Sequence, residues 1–307
     1  MLTLGIDIGG TKIRAALVDL SGNIRQVAQT ATPVADGREG ILRALYSLVD
    51  PLVDQVDAIG VGSAGRINVR EGSVAYATDN LPGWTGTPLK DLLQRRCPKP
   101  VFVDNDVNVA ALAEGWVGAA RGLEHFLCLT LGTGVGGALV SRGQLVHGAT
   151  WSAGEIGHML LYPEGRPCNC GGFGCLEQYV SGPALVRSAN QMGGANRSGG
   201  PYPDGRLLFQ AVEAGEEPAL KAIDAFCRDL AYALQTLQSV FDPEAVIIGG
   251  GLIDGRQVWW ERLAEQVRLL CPVPVVTRPA ALGGDAGVVG AARLAQLHME
   301  GREWPFL

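Results

Sequence analysis

Residues 2–20 read LTLGIDIGGTKIRAALVDL, and residues 126–140 read FLCLTLGTGVGGALV. In the first stretch apolar side chains alternate at Leu2, Leu4, Ile6 and Ile8, and Gly9 and Gly10 interrupt the run before a second apolar stretch from Ile13 to Leu20. Period-two alternation broken by a glycine pair predicts a strand, a tight turn and a strand. The second stretch repeats this design, with Leu127, Leu129 and Leu131 leading into Gly132, Thr133 and Gly134 and then a further strand. Two such hairpins in one chain predict a duplicated architecture. Glycine is the default residue of tight turns, so either hairpin alone is explained as plain structure. Thr beside Gly in both turns favours a cradle in which backbone N–H groups and hydroxyls hold phosphate.

Outward from the hairpins the patterns predict a helix near 38–54, a strand at 56–61, a helix at 88–95, a strand at 100–103 and an Ala-rich helix at 107–118. The second half adds an amphipathic segment near 218–240, the strand AVIIGGG at 245–251, a helix near 257–270, a short strand at 273–276 and a closing helix at 286–298. Strands alternating with helices imply an α/β fold. Pro201 and Pro203 in the Gly-rich stretch 193–205 mark a surface loop.

With 307 residues and 32.3 kDa, the chain exceeds one ordinary core and is expected to form two domains. A formal charge of −6 and a pI near 5.3 argue against a nucleic-acid surface, which needs a basic stripe. Asp7, Lys12, Arg14 and Asp19 leave no room for a secretory apolar region near the start, and no apolar run has the length of a bilayer span. A cytoplasmic location is expected. Seven cysteines, three of them in one cluster, agree with a reducing compartment and leave Cys97, Cys128, Cys227 and Cys271 as core thiols.

That cluster lies in EIGHMLLYPEGRPCNCGGFGCLEQ, residues 155–178. His158, Cys168, Cys170 and Cys175 supply four soft or borderline donors, and Gly171, Gly172 and Gly174 let the loop fold back on itself. The pattern predicts a closed tetrahedral zinc site of structural type. A disulfide between Cys168 and Cys170 would be strained by its short loop, and three buried thiols would not need this glycine density. Glu155 and Glu177 flank the ligands, so the metal is expected to brace a loop that carries chemistry.

Other residues suit the chemistry of a triphosphate. In DIGGTK, Asp7 at a strand end is placed to hold a water on Mg²⁺, and Thr11 or Lys12 to approach phosphate oxygens beside Gly9 and Gly10. The Gly132–Gly134 turn and the glycines at 249–251 are weak signals singly, but with the first turn they offer three glycine-lined edges for one nucleotide. VDNDVN at 103–108 stands where a strand ends and a helix begins, and one of its polar residues is expected to cap that helix. A cap does not account for Asp104, Asn105 and Asp106 in a row, and Asp106 fits a base that accepts a proton from a substrate hydroxyl. Thr78 and Asn80 in ATDNLPGW, beside Trp84, suit carbohydrate about as well as a plain turn.

DIGGTK, VDNDVNVAALAEG, LGTGVGG, AGEIGH and CNCGGFGCLEQ, in this order, resemble the ROK family of sugar kinases and related repressors over nearly the whole chain. The resemblance implies the actin-like, hexokinase-like fold: two α/β domains of duplicated RNase H-like topology closing on a cleft, assembled as a homodimer or a dimer of dimers. Residues 1–108 with about 290–307 are expected to form the smaller domain, and 109–289 the larger one with its zinc loop at 158–175. Asp106 would be the general base toward the sugar 6-hydroxyl. Asn80, Asn105, Glu155, His158 and Glu177 would hold sugar hydroxyls, and Gly10, Thr11, Thr133 and Gly250 would line ATP. Family repressors carry a DNA-binding winged helix ahead of this region, whereas here the first phosphate turn begins at Asp7, so a kinase is expected over a regulator. A sensor without catalysis fits less well, because Asp106 and both Gly-Thr turns are intact.

VGSAGRINVREGSVAYAT at 61–78 departs from the Gly-x-Pro-Gly usual in family glucokinases, with Ala64 before Gly65 and then Arg66. The segment is similar to the N-acetylmannosamine kinases, which implies that Gly65, Arg66 and Thr78 sit near the sugar and that N-acetylmannosamine is preferred over glucose. A solvated loop arginine is the plain alternative for Arg66. Glu155 is shared with glucose-specific members and does not discriminate.

Overall fold

The hairpin read at residues 2–20 is formed by β1 (Leu2–Ile8) and β2 (Lys12–Asp19), antiparallel with Ile8 opposite Ile13. β3 (Ile24–Ala31) extends the meander along β2. After α1 (Gly37–Val49), β4 (Ala58–Ser63) enters parallel to β1. A separate ribbon of β5 (Arg66–Asn68) and β6 (Ser73–Tyr76) follows, then α2 (Leu89–Arg96). β7 (Val101–Asn105) closes the sheet parallel to β4 and runs straight into α3 (Asp106–Val117).

The second hairpin is β8 (Phe126–Leu131) and β9 (Val135–Ser141), continued by the short β10 (Gln144–Leu145). Helices α4 (Glu177–Val180), α5 (Gly182–Gln191), α6 (Gly205–Glu213) and α7 (Glu217–Phe241) come next. Then follow β11 (Ala245–Gly249), α8 (Trp260–Leu270), β12 (Thr277–Pro279) and α9 (Ala286–Met299). The two five-stranded sheets run β3-β2-β1-β4-β7 and β10-β9-β8-β11-β12. β8 therefore occupies in the second sheet the place of β1 in the first, each with a parallel strand beside it, and the duplication implied by the hairpins is present.

This computed structural model describes residues 1–196 and 199–301. The chain divides into two compact units: Met1–Glu124 with Ala138–Gly154 and the chain from Ala281, and His125–Gly137 with Glu155–Ala280. α3 and all of α9 thus fall in the first unit, where the sequence reading drew boundaries at 108 and about 290. The cause is packing: Ala113 of α3 shares a buried cluster with Ala286 and Val289 of α9.

One face of the first sheet buries Ile6, Ile8 and Val61 against Ile41, Leu45 and Val49, a four-residue repeat along α1, and against Leu89 and Leu93 of α2. On the other side Ala16 and Val18 meet Val288 and Ala292 of α9. The backbone of α9 comes close enough that a Cβ on Gly60 would overlap the Ala291 carbonyl, so only glycine fits there. α3 carries a buried carboxylate, Glu114, which is 2% exposed. It accepts N–H bonds from Ala119 at 2.7 Å and from Ala281 and Leu282 at 3.0 Å, joining α3 to the chain that leads into α9. Glu114→Ala would strand these donors, and a loss on the order of 3 kcal/mol is expected in urea unfolding, against a near-neutral result if the contacts were incidental.

Three elements differ from their sequence outlines for local reasons. The helix near 38–54 ends at Val49, because Pro51 lacks an N–H, and a 3₁₀ turn at Val53–Gln55 follows. The helix near 257–270 begins at Trp260, after a 3₁₀ stretch at Gly251–Val258 and the fully buried Trp259. The strand drawn at 273–276 lies at Thr277–Pro279, since Pro272 and Pro274 cannot donate to a ladder. The loop predicted around Pro201 and Pro203 is irregular where described and gives way to α6 at Gly205.

Candidate functional site

In the first unit the polar run 103–108 folds into a strand-to-helix turn in which each side chain has a separate task. Asn105 is the cap of α3: its Oδ1 accepts the N–H of Val107 at 2.8 Å and of Asn108 at 3.1 Å, while its Nδ2 donates to the Gly65 carbonyl at 2.9 Å. Asp106 opens the helix half-buried, with Oδ1 accepting the Val107 N–H at 3.0 Å. Asp104 is 2% exposed; its Oδ1 accepts from the Asn105 N–H at 2.7 Å and Asn108 Nδ2 at 2.8 Å. Its Oδ2 meets Nε2 of His147 at 2.7 Å.

His147 was not singled out from the sequence, where a lone histidine in QLVHG has no periodic or spacing signal. Burial alone would push its imidazolium down, but the charge and hydrogen bond of Asp104 outweigh this, and its pKa stands above the usual 6.5. A raised folded-state value means that the folded chain holds the proton more tightly than the unfolded chain. The contribution of the pair is therefore complete below about pH 6.5 and is lost as pH rises through the folded value. Unfolding midpoints from about pH 6 to about pH 9 should fall through this contribution, and His147→Gln should flatten that slope; an unchanged slope would contradict it.

The same unit carries the β1–β2 turn. The Gly9 N–H donates to the Lys12 carbonyl at 3.1 Å, Thr32 Oγ1 donates to the Gly9 carbonyl at 2.6 Å, and Thr11 and Lys12 stand exposed. Asp7, one residue before the end of β1, is pushed above the ordinary carboxylate range by burial, against the pull of Arg14 and Lys12. The Asn80 backbone lies beside Gly10, with Asn80 exposed and Thr78 half-buried. Arg66 is half-buried: its Nη1 donates to Ser152 Oγ at 2.9 Å, and its guanidinium lies 4.7 Å over the Tyr76 ring.

In the second unit the turn Gly132–Gly134 is closed by the Gly132 N–H to the Gly134 carbonyl at 2.9 Å and leaves Thr133 exposed. Gly250, at φ 85°, lies against this turn: a Cβ there would come within 2.5 Å of Leu131 backbone atoms. Two of the three glycine-lined edges thus meet in this unit, and the third belongs to the first. Glu177 Oε2 accepts the Val135 N–H at 2.9 Å, so this carboxylate also anchors the turn.

His158, Cys168, Cys170 and Cys175 come together in the second unit, their ligand atoms all within 4.8 Å of one another. Cys168 Sγ is 3.6 Å from His158 Nδ1, and Cys170 Sγ is 3.6 Å from Cys175 Sγ. Zinc–sulfur bonds of about 2.3 Å at tetrahedral angles require edges of roughly 3.8 Å, so these two 3.6 Å edges and the Cys3His donor set suit that ion. The cysteines are not paired as disulfides. Burial pushes the Cys175 thiol up to about 12, and a dication is the group that would hold it as thiolate. Gln178 Nε2 donates to Cys168 Sγ at 3.7 Å, and Glu155 faces the far nitrogen of His158, Nε2, at 3.9 Å.

The ROK family profile matches residues 3–298, and the chain belongs to the ROK family. It is 38% identical to a glucokinase of Streptomyces coelicolor, covering 96% of this chain and 98% of the relative. It is 35% identical to an N-acetylmannosamine kinase of Escherichia fergusonii, covering 96% and 99%. Among solved structures, a ROK family glucokinase from Streptomyces griseus in complex with glucose and AMPPNP superposes with a TM-score of 0.84 at 36% identity, covering 96% of this chain and 99% of that one. The fold is the mixed α/β fold of the ROK sugar kinases, in keeping with the actin-like, hexokinase-like architecture expected from the sequence. No helix among the described residues is long and apolar enough to cross a membrane.

Proposed function

We propose that this chain is an ATP-dependent kinase that transfers the γ-phosphoryl group to the 6-hydroxyl of a hexose, with glucose the first acceptor and N-acetylmannosamine the second. The observation that carries the reading is the β7–α3 turn, which sets Asp106 at the first position of a capped helix in a family of sugar kinases. Phosphoryl transfer asks a protein mainly for positioning and charge stabilisation. Asp106 would accept the hydroxyl proton and orient the oxygen. Asn80, Asn105, Glu155, His158 and Glu177 are the proposed sugar ligands. Glu177 already serves the backbone through one carboxylate oxygen, and Asn105 through both Oδ1 and Nδ2. Gly9, Gly10, Thr11, Lys12, Gly132, Thr133, Gly134 and Gly250 are proposed to line the nucleotide. Mg²⁺, when bound with the nucleotide, would neutralise phosphate charge, with Asp7 as its proposed protein partner. Zinc is the proposed occupant of the Cys3His set, bracing the loop that presents His158. A homodimer or a dimer of dimers is the proposed assembly.

Glucose is ranked first because Arg66, which carried the sequence preference for N-acetylmannosamine, has a sufficient structural task in its bonds to Ser152 and Tyr76. The resemblance of the 61–78 segment and the 35% identity to an N-acetylmannosamine kinase favour the second acceptor. Coupled ADP-release assays with glucose, mannose, N-acetylglucosamine and N-acetylmannosamine test this. Glucose should give the highest kcat/KM. A higher value with N-acetylmannosamine would restore Arg66 as a specificity residue, and sugar-independent silence would leave a sensor.

A further inference from the structure

The segment from His147 to Ser152 belongs to neither the phosphate turns nor the cysteine cluster, yet it is fastened at both ends around Asp106. At one end His147 Nε2 meets Asp104 Oδ2 at 2.7 Å, the two side chains 6% and 3% exposed. At the other end Ser152 Oγ accepts from Arg66 Nη1 at 2.9 Å. Gly65, the neighbour of Arg66, receives the Asn105 Nδ2 bond at 2.9 Å, and Asn105 adjoins Asp104. The contacts close a ring that runs Asp104, Asn105, Gly65, Arg66, Ser152 and back along the segment to His147.

Inside that ring Trp151 takes φ 62°, a left-handed conformation in which a bulky side chain is an outlier. Such a conformation costs on the order of 1–3 kcal/mol and persists only where its surroundings over-determine it. The surroundings here are the His147 ring, 6.3 Å away edge-on, and the Arg70 guanidinium, 5.7 Å over the indole. The Ala153 N–H also donates to the His147 carbonyl at 3.1 Å, drawing the ends of the segment together.

Asp104 is the link to the chemistry. Its Oδ1 holds the N–H of Asn105, the cap of α3, and the side chain of Asn108 in the first turn, the turn that begins with Asp106. Its Oδ2 is matched by His147. Removing one partner of a buried ion pair leaves an uncompensated charge, and the turn around it must then shift. A misplacement of about 1 Å in a reacting group can cost roughly a hundredfold in rate.

We propose that His147 is a positioning residue for phosphoryl transfer: through Asp104 it fixes the β7–α3 turn that presents Asp106, with residues 147–152 acting as a strap across the turn. The proposal rests on the reading of Asp106 as the base. His147 itself touches no reacting atom.

The test is steady-state kinetics of the full chain with glucose and ATP for wild type, His147→Leu and His147→Gln, each also in an Asp106→Asn background, on samples shown to be folded by thermal melting. His147→Leu should lower kcat by roughly tenfold or more with KM for both substrates within about threefold. His147→Gln, whose amide can still donate to Oδ2, should recover most of that loss. In the Asp106→Asn background the Leu effect should shrink to less than about twofold, because displacing an absent base has no further consequence. A lowered melting temperature with unchanged kcat would reduce the strap to a structural brace and overturn the proposal. Equal losses in both backgrounds would show that His147 does not act through Asp106. Near-normal turnover by Asp106→Asn alone would remove the base itself, and the proposal with it, from the same data. If His147→Leu yields no folded chain, Ser152→Ala cuts the other end of the strap at a half-exposed site; it should lower kcat about threefold, and no change would overturn the proposal.

Discussion

Replacing Asp106 with Asn is expected to lower kcat by roughly 10²-fold or more, with sugar KM changed only a few-fold. The substitution removes the proton acceptor and keeps the shape. Asn can still accept the Val107 N–H that Asp106 Oδ1 accepts at 3.0 Å, and the cap of α3 rests on Asn105, so the turn has no reason to unfold. Melting temperature should therefore stay close to that of wild type while turnover collapses. Near-normal turnover would show that the hydroxyl proton goes elsewhere and that Asp106 is only the first residue of a helix.

Zinc removal carries the second large effect. One zinc per chain should co-purify, and Cys170→Ser should lose the metal, lower the melting temperature on the order of 10 °C and raise sugar KM together. These three are coupled because His158 has one nitrogen, Nδ1, toward Cys168 and the other, Nε2, toward Glu155. Losing the metal frees the ring that orients this edge. Cys170 is the exposed member of the set, so its serine should change packing little, whereas a variant at the buried Cys175 would confound metal loss with core damage. Metal analysis of purified protein with matched melting curves checks the prediction. A folded, active sample without zinc would reject the metal, and a zinc-free variant with unchanged sugar KM would reject the link to His158.

What could be read in the sequence was what short spacing encodes. Alternating leucines before Gly9-Gly10 and before Gly132-Thr133-Gly134 define strands whatever surrounds them, and both hairpins form. The cysteine cluster was legible for the same reason, since three of its ligands lie within eight residues and glycines turn the loop. β3 was missed because, as an edge strand, it buries little: only Ile24, Ala28 and Thr30 are even partly covered. The β5–β6 ribbon is too short for a period to register.

Asp104 shows where local reading stops. The cap expected from the run is Asn105, but the partner that gives Asp104 its meaning, His147, is 43 residues away. Arg66 is similar: the sequence places it near the sugar, with a solvated loop arginine as the alternative, and its bond to a residue 86 positions distant is not encoded nearby. Glu114, inside an Ala-rich helix, carries no local signal of the Ala281 and Leu282 N–H groups that it accepts. In each case a buried or half-buried charge finds its partner only in the folded chain, because the need to satisfy it fixes that a partner exists and not where in the sequence it lies.

Transfer of a phosphoryl group from ATP to a sugar 6-hydroxyl can be followed by ³¹P NMR of the purified chain incubated with glucose, ATP and Mg²⁺. Glucose 6-phosphate and ADP should accumulate in equal amounts, with neither formed by Asp106→Asn on the same timescale. ADP appearing with inorganic phosphate and no sugar phosphate, or a phosphoryl group on another hydroxyl, would contradict it.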